Sequence, residues 1–376
     1  MARTPHLIVE NYGPIRRVDV PFADITVLVG PQATGKSLAL QWLKLALDQK
    51  YILGTLAVNG FYAPDLPTQL AGLYFGAGYE NTWESAKVTF NGASVNLKKI
   101  AKARLLAGRN NTLFVPAHRA LVFATGWPQQ FRSFAPDTPY VVREFSENVK
   151  WTLSGQVNGV VFPAPRQFRP ELSHLLDQAL LHGGRVVLES RGLNGEQLRI
   201  RHDKTNLSMM EWTTGQREAV PLMVALSPEL PIGRKKRRED LDWIIVEEPE
   251  LGLHPDGIIS IIALLLETAR RGYKLVLSTH SSVVLEVLWV MNRLRNRADA
   301  SRRLLRMLGL PEGSQTSLRF ARDLLGLSTS VMYFRHKRGG VESVDITGLD
   351  PRGDGAESDW GGLIRYSSRS AEVLSE

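Results

Sequence analysis

The chain has 376 residues, with 46 Lys and Arg against 38 Asp and Glu, a formal charge of +8, 43% apolar residues and no cysteine. That apolar content supports a packed core and excludes a mainly disordered chain, while the missing cysteines exclude a disulfide framework, thiolate chemistry and Cys-ligated zinc. The longest apolar stretch, from Gly257 to Leu266, is well short of the roughly 18 to 20 residues of a membrane span, and no signal peptide is recognisable, so a soluble, cytoplasmic protein without membrane contact is expected. Residues 6–10 read as a short strand, Asn11-Tyr12-Gly13-Pro14 as a turn and residues 17–22, alternating apolar and polar, as a half-buried second strand. Residues 25–29 are continuous and β-branched, the pattern of a strand buried on both faces. Apolar residues all round residues 38–47 predict a buried helix.

Residues 50–170 carry scattered Gly and Pro and no repeat. Within them we expect a basic amphipathic piece over 97–106, a strand over 112–116 and a loop over 127–140, and we read the region from about 55 to 170 as an inserted lobe. Residues 171–182 look helical, and residues 185–189 and 197–200 flank Gly192-Leu193-Asn194-Gly195 as a hairpin. Thr213 opens a helix on which Ala219, Val220, Leu222, Met223 and Leu226 fall at helical spacing. A basic linker over 227–240 follows, then a buried strand at 243–246, a helix at 257–269, a core strand at 274–278 and a helix at 281–294. The alternation predicts an α/β fold with a mostly parallel sheet.

Gly30-Pro31-Gln32-Ala33-Thr34-Gly35-Lys36-Ser37 fits G-x-x-x-x-G-K-[ST], with Leu38 next on the helix, and it stands between a buried strand and a helix as a phosphate loop must. Backbone N–H groups of such a loop and the helix dipole favour phosphate. Lys36 would reach the β- and γ-phosphates and the Ser37 hydroxyl would ligate Mg²⁺, so ATP and Mg²⁺ are the expected cofactors. Further on, Trp243-Ile244-Ile245-Val246 runs into Glu247-Glu248-Pro249-Glu250. Acids at the end of a buried strand place one carboxylate near Mg²⁺, here Glu247, and the next near the water that attacks the γ-phosphate, here Glu248 as general base.

Together with Asn11-Tyr12-Gly13-Pro14-Ile15, the Thr214-Gly215-Gln216 helix start, the Glu248-Pro249-Glu250-Leu251-Gly252-Leu253-His254-Pro255 block and Ser278-Thr279-His280-Ser281, these motifs resemble the ABC-type ATPases. Within them, the branch holding the structural-maintenance-of-chromosomes proteins and the overcoming-lysogenization-defect ATPases is the most similar. The resemblance implies a P-loop NTPase fold with an N-terminal antiparallel β part and makes residues 1–376 one ATPase domain, with the lobe as an insertion and 300–376 as a C-terminal extension. It implies that Thr213, Thr214, Gly215 and Gln216 act as the signature that caps the γ-phosphate bound to another copy. It also makes His280 the switch histidine and puts His254 in a loop crossing the dimer interface. Glu247 stands where the family usually has aspartate, and the lid glutamine has only Gln129 and Gln130 as candidates. No long heptad run separates Lys36 from Thr213, so no extended coiled coil is expected. Asp345, Asp350, Asp354 and Asp359, scattered among glycines, read as a solvated tail.

Arg234-Lys235-Lys236-Arg237-Arg238, and the crowd of Arg293, Arg295, Arg297, Arg302, Arg303 and Arg306, could neutralise nucleic-acid phosphates or dock an acidic partner. The resemblance implies an ATP-driven switch that dimerises around ATP and controls a separate nuclease or toxin in defence against phage. A DNA-binding repair ATPase without an effector, and less readily a transporter subunit, are the alternatives.

Overall fold

The computed structural model describes residues 4–61, 67–101, 108–123, 126–155, 159–164, 168–190, 196–230 and 237–375. Two antiparallel strands, β1 (His6–Tyr12) and β2 (Ile15–Pro21), precede β3 (Ile25–Val29), which leads through the glycine-bearing loop into α1 (Lys36–Val58). Then come α2 (Pro67–Phe75), the small hairpin β4 (Lys87–Phe90) and β5 (Ala93–Ser94), α3 (Leu97–Ala101), β6 (Thr112–Val115) and α4 (Tyr140–Ser154). They are followed by β7 (Val160–Phe162), α5 (Pro170–Leu176), β8 (Arg185–Ser190), β9 (Glu196–Arg201), β10 (Asn206–Ser208) and α6 (Thr214–Leu226). The remainder is β11 (Trp243–Glu247), α7 (Pro255–Arg270), β12 (Lys274–Thr279), α8 (Ser282–Leu294), α9 (Ala300–Met307) and α10 (Gln315–Leu325), then β13 (Thr329–Lys337), β14 (Gly340–Asp345), α11 (Gly355–Ser358) and α12 (Arg365–Ser375).

One sheet runs β5-β4-β1-β2-β14-β13-β3-β12-β11-β6, and a smaller antiparallel sheet runs β10-β9-β8-β7. Strands β13, β3, β12, β11 and β6 are mutually parallel, and the opposite edge of the large sheet holds the antiparallel β1, β2, β4 and β5. The parallel strands are buried on both faces, which explains their unbroken apolar runs. Ile25, Val27, Ile244, Val246, Leu275 and Leu277 point into the core beneath α6, α7 and α8, whereas Leu28, Trp243, Ile245 and Val276 point into the core beneath α1 and α2. The fold is a mixed α/β one with a mostly parallel centre, and the glycine-bearing loop leaves the interior strand β3.

Two features depart from the sequence expectations. Helix α1 does not stop at residue 47 but continues to Val58 across a kink at Asp48. The kink is held by a buried polar cluster. Asp48 accepts from the Asn111 N–H at 2.8 Å, the Thr112 hydroxyl at 2.6 Å and Lys44 at 3.0 Å, and Lys44 also pairs with Glu144 of α4 at 2.8 Å. The stretch beyond residue 300 is part of the body, because β13 pairs in register with β3 from Thr329↔Ile25 to Tyr333↔Val29, and Ile346, Leu349 and Trp360 are buried instead of lying in a solvated tail. The four aspartates there serve local structure: Asp345 accepts from the Thr347 N–H at 2.8 Å, Asp354 caps α11, Asp350 pairs with Arg293, and Asp359 pairs with Arg365. Residues 102–106 of the basic piece, the hairpin turn at 192–195 and Arg234, Lys235 and Lys236 lie outside the described residues, although β8 and β9 pair antiparallel up to Ser190↔Glu196. No described helix is long and apolar enough to cross a membrane.

Candidate nucleotide site

The C-terminal ends of β3, β6, β11 and β12 open onto one cavity of about 650 Å³, within the range of small-ligand sites. The loop residues Gln32 to Gly35 form one wall. Gly30 has φ +147°, and a Cβ there would lie 2.4 Å from the Phe334 carbonyl oxygen of β13; Gly35 has φ +84° and abuts Ile15 of β2. Both glycines are therefore required by close approach as well as by backbone angle. Lys36 is buried and donates from Nζ to the carbonyls of Gly30 and Pro31, each at 2.8 Å. The Thr34 hydroxyl, donating to Pro31 at 2.8 Å, closes the same turn. Burial pulls the Lys36 ammonium down to about 8, with Glu248 and Glu250 pulling the other way. Gln32, Ala33, Thr34, Ser37 and Leu38 line the same cavity.

Glu247, last residue of β11, is buried, and its Oε2 accepts from the Ala117 N–H at 3.1 Å. Its Oε1 has no hydrogen-bond partner. Burial raises this carboxyl above the usual range, and the Ser37 hydroxyl beside it pulls back. Glu248 reaches the cavity from an unusual backbone, φ +42°, a region that few non-glycine residues adopt. Its Oε1 is 3.6 Å from His280 Nε2. Burial, and then Lys36, lower the His280 imidazolium's hold on its proton, while Glu248 pulls the other way. Glu250, not singled out by the sequence except as part of its block, fixes that histidine: its Oε1 accepts from the Thr279 hydroxyl at 2.8 Å and from the His280 N–H at 2.6 Å.

An orphaned, buried carboxylate oxygen next to a serine hydroxyl at a phosphate loop suits a hard divalent cation, which takes oxygen ligands. Ser37 and Glu247 thus fit Mg²⁺, and the longer glutamate in place of aspartate still reaches the loop.

The other expected residues fall outside this cavity. Thr213 to Gln216 start α6 with a reciprocal cap, the Thr213 hydroxyl accepting from the Gln216 N–H at 3.2 Å and Gln216 Oε1 from the Thr213 N–H at 3.1 Å. Gly215 packs against Gly252, whose φ is +71° and where a Cβ would meet Thr214 Cγ2 at 2.7 Å. His254 is exposed and caps α7. Gln129 and Gln130 do not line the cavity either; after β6 its wall is Pro116, Ala117 and His118, and the amides that line it are Gln32 and Gln41. Of the basic run, Arg237 pairs with Asp242, and Arg238 with Glu229 at 3.1 Å and Asp240 at 2.9 Å. The second arginine crowd is divided between the end of α8, the connection and α9, with Arg293, Arg303 and Arg306 paired to Asp350, Asp299 and Glu312.

Residues 134–286 match a family model described as "AAA domain, putative AbiEii toxin, Type IV TA system". The matched segment includes the Thr213 cap, Glu247 to Glu250 and His280, and the phosphate loop precedes it. Among solved structures, the chain is similar to an SMC head bound to the C-winged helix domain of ScpA, with 12% identity, 90% of this chain and 96% of that chain covered and a TM-score of 0.43. It is also similar to the SMC head domain from Thermotoga maritima, with 13% identity, 92% and 99% covered and a TM-score of 0.37. A third is an SMC head with an extended coiled coil bound to the C-terminal domain of ScpA derived from Pyrococcus furiosus, with 10% identity, 91% and 96% covered and a TM-score of 0.42. No curated protein matches the chain.

Proposed function

We propose that this chain hydrolyses ATP in the cavity between the phosphate loop and the end of β11, and that two copies close around two nucleotides to control a separate effector. The observation that supports this most is the convergence in one cavity of buried Lys36, buried Glu247 beside Ser37, and Glu248 paired with His280. Loop N–H groups and Lys36 would hold the β- and γ-phosphates. Ser37 and Glu247 would hold Mg²⁺, which when bound supplies Lewis-acid stabilisation of phosphoryl charge. Glu248 takes the proton of the attacking water as its oxygen bonds to the γ-phosphorus and the bond to ADP breaks. His280, its backbone held by Glu250, hydrogen-bonds the γ-phosphate. The start of α6 lines no part of its own chain's cavity, and in the closed dimer Thr213, Thr214, Gly215 and Gln216 cap the nucleotide of the other copy.

Glu248→Gln tests the assignment: ATP binding is expected to persist while phosphate release falls by about 10²- to 10⁴-fold. Unchanged release would remove Glu248 from its role. The description of the matched family, a putative toxin of a type IV toxin–antitoxin system, supports an effector-linked role, which we extend to cytoplasmic defence against phage. Protection in a plaque assay is then lost with Lys36→Ala. Arg237, Arg238, Arg293, Arg303 and Arg306 each have an acidic partner within the chain, although these pairs lie at the surface. DNA-stimulated hydrolysis abolished by neutralising Arg234 to Arg238 would favour a repair ATPase instead.

A further inference from the structure

Directly after β6, one residue beyond the cavity wall, stands Arg119, fully buried and absent from every motif in the sequence. Its guanidinium is spent on the backbone of the acidic strand end and of α6. Nη1 donates to the Glu247 carbonyl at 2.9 Å and to Pro116 at 3.4 Å, and Nη2 donates to the Glu248 carbonyl at 3.0 Å. Nε donates to the Glu218 carbonyl at 2.8 Å, with the Glu218 carboxylate 3.4 Å away. Glu218 lies on α6, three residues after Gly215.

A buried cation is costly unless it is paired and fully bonded, so this placement needs a reason that an apolar filler would not serve. The geometry supplies one. Glu248 sits at φ +42°, a conformation that persists only where surrounding bonds over-determine it. Three bonds do so: the Glu248 N–H to the Ser278 carbonyl at 2.9 Å, the Leu251 N–H to the Glu248 carbonyl at 3.1 Å, and Arg119. The first two tie Glu248 to its own loop and to β12. Among the described residues, Arg119 is the hydrogen-bonding link from Glu248 to α6, beside the packing of Gly252 on Gly215 further along the same loop.

We propose that Arg119 is a positioning residue that locks the backbone of Glu247 and Glu248 to α6, so that the site a chain hydrolyses in and the helix start it presents to its partner move as one body. This rests on the ATP-sandwich reading above, in which those two parts of one chain serve different nucleotides. Only a planar fork of donors reaches all these carbonyls at once; a lysine at the same place is a point charge that cannot.

The test compares the wild-type chain with Arg119→Lys, Arg119→Ala and Glu218→Gln in Mg-ATP turnover, binding of a fluorescent ATP analogue and thermal melting. Arg119→Lys is expected to lower kcat by about 10²-fold, the scale of a misplaced reacting group, with analogue affinity within about threefold of wild type, since the phosphate loop is untouched. Millimolar guanidinium is expected to restore part of the turnover of Arg119→Ala. Glu218→Gln, which removes only the carboxylate, is expected to lower kcat severalfold without changing affinity. Wild-type turnover in Arg119→Lys overturns the proposal. So does a parallel fall of kcat, affinity and melting temperature without guanidinium rescue, which marks a merely structural residue. Should the Arg119 variants fail to fold, an unchanged kcat in Glu218→Gln overturns it as well. A wild-type chain that releases no phosphate overturns the hydrolase reading and this coupling with it, whereas active wild type beside equally active Arg119→Lys overturns the coupling alone.

Discussion

Lys36 combines two demands that oppose each other, burial and a positive charge. Burial brings its ammonium down to about 8, and a phosphate laid against it favours the protonated form. The free chain above this value has a mostly neutral Lys36, so ATP binding there must take up a proton. Below it no uptake is needed. Affinity is therefore expected to be flat at neutral pH and to fall by up to about tenfold per pH unit above 8, with near-stoichiometric proton uptake seen as a buffer-dependent binding enthalpy at high pH. Lys36→Arg, charged throughout, is expected to bind without that uptake. Residues of this kind were legible because Lys36, Ser37, Glu247 and Glu248 stand in local motifs whose spacing carries the chemistry, whereas His280 was singled out only by the resemblance. Ala117, Arg119 and Glu250 were not, because what they touch lies 30 to 130 residues away in the sequence. Proline and arginine after an apolar strand were the only trace of Arg119 that the sequence offered.

Helix α1 shows how one element can be read correctly at its start and wrongly at its end. The apolar run to residue 47 made the helix legible, and that run is broken by the polar Asp48-Gln49-Lys50 beyond it. Asp48 does leave helical geometry, yet the chain resumes because Asp48, Lys44 and Glu144 satisfy one another in the interior and tie α1 to β6 and α4. Burial raises the Glu144 carboxyl, and Lys44 opposes that. Removing the cation leaves two buried carboxylates uncompensated. Lys44→Met is expected to cost about 3 to 5 kcal/mol, seen as a lower urea midpoint with little change in the slope of the transition. Helix α4, equally invisible in advance, owes its place to this same cluster and to the Arg143 guanidinium, which binds the carbonyls of Phe131, Ala135, Pro136 and Thr138.

The parallel core of the molecule was legible as a class, since β3, β11 and β12 announce themselves as apolar runs buried on both faces. The order of its strands was not. Residues 329–337 mix apolar and basic side chains, and nothing local says that they pass between β14 and β3. That position makes them indispensable. A chain cut after Gly326 is expected to lose cooperative thermal unfolding and ATP binding together, because β3 loses its partner along five residues and Gly30 loses the Phe334 backbone it packs against. A folded, ATP-binding fragment of that length would contradict the sheet order.

The same strand order has a consequence for how the protein is made. Strand β3 leaves the ribosome with neither flank available, since β12 begins at Lys274 and β13 only at Thr329. At 5 to 20 residues per second, roughly 300 residues of further synthesis occupy about 15 to 60 s. For most of that interval, until β12 emerges, the nascent phosphate loop hangs from an unpaired apolar strand exposed to off-pathway association, and until β13 follows that strand stays bare on its other edge. The nucleotide site is thus armed late, by one of the last strands to be translated, and a stalled ribosome leaves behind a chain that carries the phosphate-loop sequence without its grip.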